Sequence, residues 1–75
     1  MSNKNLKYIE YELYRNGDTW YGLTAYYRGY GFTLEIMNLE TDEIVFSKFL
    51  RTQDQDYCGN YLRKVVKNNF NARIA

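Results

Sequence analysis

The sequence predicts an α+β fold: a four-stranded antiparallel β-meander followed by one C-terminal α-helix packed on one face of the sheet. Three observations predict it. Apolar residues alternate with period two through the first fifty residues, interrupted by short Gly-, Asn- and Asp-containing segments. A capping-type sequence at Thr52–Gln55 then opens a stretch whose apolar residues recur at helical spacing. At 75 residues and 9.0 kDa the chain builds one small core, so residues 1–75 are read as a single domain.

The first strand is expected at Lys7–Tyr14, where Ile9, Tyr11 and Leu13 alternate with Tyr8, Glu10, Glu12 and Tyr14. A turn at Arg15-Asn16-Gly17-Asp18 leads into a second strand over Thr19–Arg28. Here Tyr21, Leu23, Ala25 and Tyr27 face one way, and Trp20, Gly22, Thr24 and Tyr26 the other. Gly29-Tyr30 turns the chain into a third strand, Phe32–Asn38, and Glu40-Thr41-Asp42 into a fourth, Glu43–Leu50.

Parity constrains these turns, because a one-residue slip in register sends every side chain to the opposite face. The apolar sets of the first two strands both fall on odd positions, which calls for an odd loop, Arg15-Asn16-Gly17. The third strand carries its set on even positions. A two-residue Gly29-Tyr30 loop answers that, with Tyr27 opposite Phe32, Ala25 opposite Leu34 and Leu23 opposite Ile36. The third loop is odd again, with Asp42 suited to a left-handed conformation.

The helix is expected from about Thr52 to Asn68-Asn69, with Asp54 and Asp56 at the positive end of its dipole. Tyr57, Cys58, Tyr61, Leu62, Val65 and Val66 form its apolar arc. Gly59 within it costs about 1 kcal/mol relative to Ala, a cost that close approach to the sheet would explain. Residues 1–5 and 71–75 are expected to fray.

One helix covers one face of a four-stranded sheet. The more apolar face, with Leu23, Ala25, Phe32, Leu34, Ile36, Ile44 and Phe46, is expected beneath it. The other face collects Tyr8, Glu10, Glu12, Tyr14, Trp20, Tyr26, Glu35, Met37, Leu39, Val45 and Phe49, and nothing else in the chain covers it. Exposed cross-strand aromatic pairs stabilise a sheet by about 0.2–1 kcal/mol each. An apolar patch beyond roughly 400 Å² is uncommon on a monomer and marks a partner surface. Tyr8, Tyr14, Trp20, Tyr26, Met37, Val45 and Phe49 are therefore the candidate partner-binding residues, of the types that anchor interfaces.

Chemistry is sparse. The absence of His excludes His-based catalysis and His-ligated metals, and one cysteine excludes an internal disulfide. Glu10 and Glu12 lie about 7 Å apart on one strand, a spacing any strand with two outward glutamates gives. Cys58 falls on the buried arc with no base beside it. Catalytic residues, cofactors and metals are therefore expected to be none, and the chain is read as a non-enzymatic protein–protein interaction module. A homodimer is the simplest version, and a regulator or inhibitor of phage or mobile-element type suits the size. No small-molecule substrate is implied.

The alternative is a single-stranded nucleic-acid binder that stacks bases on the sheet aromatics. Its phosphate contacts would come from Arg51, Arg63, Lys64, Lys67 and Arg73. A net charge of +1 and the glutamates of the aromatic face oppose it. No apolar stretch reaches the roughly 20 residues of a membrane helix, the start lacks a secretory apolar region, and a lone thiol fits a reducing compartment. The chain is thus expected in the cytoplasm.

Overall fold

A computed structural model describes residues 8–75 of the chain; the expected loose start at residues 1–5, and Lys7, lie outside the described residues. The elements are β1 (Tyr8–Glu10), β2 (Tyr14–Asn16), β3 (Thr19–Tyr27), β4 (Phe32–Asn38), β5 (Glu43–Leu50), α1 (Gln55–Phe70) and β6 (Arg73–Ile74). The fold is α+β, with an antiparallel sheet and one C-terminal helix, but the sheet has six strands rather than four. Its order is β5-β4-β3-β2-β6, with β1 beside β2 on the same flank of β3.

The two additional strands have separate origins. The expected first strand is split by a β-bulge. Glu10 pairs with Thr24 but Tyr14 pairs with Tyr21, so four steps along one strand match three along the other. The Tyr11 amide still donates to the Leu23 carbonyl at 3.0 Å, which leaves the extra residue just beyond it, around Glu12. β6 comes from the expected loose end. Asn71 closes α1 in the left-handed conformation at φ 53°, and the Ala72 amide donates to the Val66 carbonyl. Arg73 and Ile74 then pair with Arg15 and Tyr14.

The parity demands are met, by other means than odd loops. β2 and β3 join through two residues, Gly17-Asp18, with Gly17 at φ 63°, and the bulge near Glu12 supplies the odd count. The same pairing of devices recurs between β4 and β5. Their loop spans four residues between Asn38 and Glu43, and Val45 is the extra residue between the pairs Ile36–Phe46 and Met37–Ile44. Asp42 takes the left-handed conformation, at φ 60°. The β3–β4 register is the expected one: Tyr27, Ala25 and Leu23 pair with Phe32, Leu34 and Ile36.

α1 begins at Gln55, three residues after Thr52. Asp54 is its N-cap, accepting from the Asp56 and Tyr57 amides, while Thr52 Oγ1 accepts from the Asp54 amide. Cys58, Leu62 and Val66 bury themselves against Leu23, Ala25, Phe32, Leu34 and Ile36, and Tyr14 and Ala72 complete the core. Tyr57 alone of the expected arc is exposed. Gly59 explains itself: a Cβ there would stand 2.7 Å from Cε1 of Tyr11, whose ring lies against the helix and whose hydroxyl donates to the Gln55 carbonyl at 2.8 Å. No described helix is long and apolar enough to cross a membrane.

Candidate functional site: the open face of the sheet

Antiparallel neighbours share a face, so the register reads the open face row by row. Tyr8, Tyr26, Thr33 and Phe49 form one row across four strands. Glu10, Thr24, Glu35 and Ser47 form the next. Gly22, Met37 and Ile44 form the third. The last carries Arg73, Arg15 and Trp20.

The aromatic row is packed by contacts within the chain. The Tyr8 and Tyr26 rings stand 4.9 Å apart, and the Tyr8 hydroxyl donates to Glu10 at 3.1 Å. Partial burial and that carboxylate raise the Tyr8 hydroxyl pKa. Phe49 lies over Gly31, where a Cβ would come within 2.6 Å of its ring, and Tyr30 flanks it at 5.3 Å. Below this row the bare backbone of Gly22 floors a groove of about 350 Å³, walled by Leu13, Met37, Leu39 and Tyr26 with Glu10 and Glu35 at its rim. Arg15 caps the far end, its guanidinium 5.6 Å from the Trp20 ring.

The seven candidate partner-binding residues divide. Tyr8, Trp20, Tyr26, Met37 and Phe49 lie on this face. Tyr14 does not: the bulge inverts its orientation, it is fully buried under α1, and its hydroxyl donates to Glu12 at 3.2 Å. Val45, the extra residue of its own bulge, packs against the core. In exchange, Leu13 and Ile44, expected beneath the helix, come out onto the open face. Tyr8, Leu13, Leu39, Ile44 and Phe49 are each 41–51% exposed. Contiguous apolar runs do not signal this exchange: Leu13-Tyr14 and Ile44-Val45-Phe46 accompany bulges, but β3 carries Trp20-Tyr21 and Tyr26-Tyr27 in unbroken register.

The bulge also dissolves the Glu10–Glu12 pair. Glu12 turns toward α1, where the Arg63 guanidinium donates to it from Nε and, at 3.0 Å, from Nη2. These bonds outweigh the opposing effect of burial, and the carboxyl pKa falls to about 2. Arg63 also lies over the Tyr11 ring at 5.5 Å and donates to Asn60 at 2.9 Å. It thus leaves the basic set proposed for phosphate binding. Of that set, Lys64 and Lys67 remain exposed on α1, Arg51 follows β5, and Arg73 lies in β6, where it shares a surface depression with Lys67.

Cys58 is buried, and burial followed by the charge of Asp54 raises its thiol pKa. Among the described residues no cluster of three or more His, Cys, Asp or Glu side chains is placed to hold a metal. Comparison with known protein families, with curated proteins and with solved structures finds no match for the chain.

Proposed function

We propose that the protein is a non-enzymatic protein–protein interaction module that docks through the open face of its sheet. One observation carries this reading. Five large apolar side chains, Tyr8, Leu13, Leu39, Ile44 and Phe49, are half-exposed on the face that α1 leaves bare, and the first three of them line one groove there. Burying them against a partner gains about 25 cal/mol per Å² of apolar surface, and the aromatic pairs beneath them are already ordered, so little side-chain entropy remains to be lost. The cytoplasm is the proposed setting, and a small regulator or inhibitor the proposed role.

The nucleic-acid alternative has less behind it. A strand crossing the aromatic row would run beside Glu10 and Glu35, and Arg63 is committed to Glu12.

The test is paired affinity capture from the source organism with the wild-type chain, Ile44→Lys and Lys64→Ala as baits. Ile44 is exposed, so the lysine costs the fold less than about 0.5 kcal/mol. The expected result is a protein, this chain included, retained by the wild type and by Lys64→Ala and lost with Ile44→Lys. Identical profiles for all three baits would overturn the reading.

A further inference from the structure

The open face carries two rows of like charge, and no ion pair among the described residues neutralises either, although Asp18 lines a depression with Arg15 and Arg73. Arg15 and Arg73 are direct cross-strand neighbours, an arrangement that destabilises a sheet. Glu10 and Glu35 flank Thr24 in one row. Among the described residues the one ion pair is Arg63–Glu12, which involves none of these four. The positive row and the negative row have the apolar Gly22–Met37–Ile44 row between them, one step of the pleat to either side.

That order, positive, apolar, negative, is self-complementary under one operation. A half-turn about an axis running across the strands, above the Gly22–Met37 row, brings a second copy face to face with the strand direction inverted. Each positive row then lies over the negative row of the other copy, and the apolar row meets itself. Such an axis keeps every strand above its own counterpart. Arg15 and Glu10 both lie on the flank of β3 opposite β4, so Arg15 of each copy faces Glu10 of the other. An axis running along the strands would instead set glutamate on glutamate and arginine on arginine. We infer that the occupant of the open face is a second copy of this chain, docked in the inverted register with two symmetric Arg15–Glu10 contacts around a centre of Leu13, Met37 and Ile44. The inference rests on the open-face reading and adds to it the partner and the register.

The isologous geometry gives a closed two-fold dimer, and the charges set register and partner choice while the apolar centre supplies adhesion. The test is charge exchange followed by sedimentation equilibrium up to high micromolar concentration. Arg15 and Glu10 are both exposed, so the fold tolerates their reversal. Arg15→Glu alone and Glu10→Arg alone are each expected to weaken dimerisation by roughly tenfold or more. The doubly exchanged chain is expected to regain it. Since Arg15 covers the chain's single tryptophan, Trp20 emission should shift with concentration in the wild type, and less at high salt. A wild-type chain that stays monomeric at every concentration overturns the inference, yet leaves the open face available to another protein in the capture experiment. A dimer that the double exchange fails to restore overturns the register. A dimer indifferent to Ile44→Lys overturns the open-face reading as well.

Discussion

Glu12 shows how one inserted residue changes the chemistry of its neighbours. With regular alternation it would stand beside Glu10 as a solvated carboxylate; at the bulge it meets Arg63 instead. Its carboxyl pKa, about 2 in the folded chain against an ordinary 4.5, makes the contact a pH-dependent source of stability. A depressed carboxylate stabilises the fold fully above its unfolded value, and that contribution disappears as the pH falls from about 4.5 toward 2. Both side chains are one-third exposed, so solvent screening trims the contribution to about 1 kcal/mol. Chemical denaturation of Glu12→Gln should therefore show lower stability than the wild type at neutral pH, with the gap closing below about pH 4. A gap that stays constant down to pH 2 would mean that ionisation of Glu12 contributes nothing.

At the scale of the element, α1 sits on the sheet through a glycine. Gly59→Ala would gain about 1 kcal/mol of helix propensity in isolation, but the added methyl meets the Tyr11 ring. That ring is held by its hydrogen bond to Gln55 and by Arg63 above it. Overpacking of this kind costs about 1–3 kcal/mol, so the variant should be less stable than the wild type by denaturant titration. A stabilised variant would show that Tyr11 yields freely.

The strands reveal what the sequence made legible. The β3–β4 register was readable because one glycine-led turn joins two clean alternations, and Gly29 takes a positive φ there. The helix was readable from its periodicity and its acidic start. The bulges were not, since an even turn plus an extra strand residue satisfies the same parity as an odd turn. That ambiguity misplaced Tyr14 and Val45 on the open face and hid Leu13 and Ile44 from it. β6 was illegible for another reason: two residues show no period, and Arg73 and Ile74 become a strand only because Asn71 turns the chain back beside β2. Five of the seven candidate partner residues nonetheless lie on the bare face, because β3 and β4 carry most of it and both were read in register.

Taken as a whole, the molecule is a sheet with one helix across it, joined by a single small apolar layer together with the Arg63–Glu12 and Tyr11–Gln55 contacts. Cys58 belongs to that layer, in the first turn of α1, and is fully buried. A thiol reagent therefore cannot reach it until helix and sheet part company. Its modification rate should fall with added stability and rise in step with Gly59→Ala, whereas the surface substitutions at Arg15, Glu10 and Ile44 should leave it almost unaltered. Rapid labelling of the native chain, independent of denaturant, would show that the layer opens locally. The lone thiol is thus a built-in clock for how often the domain comes apart.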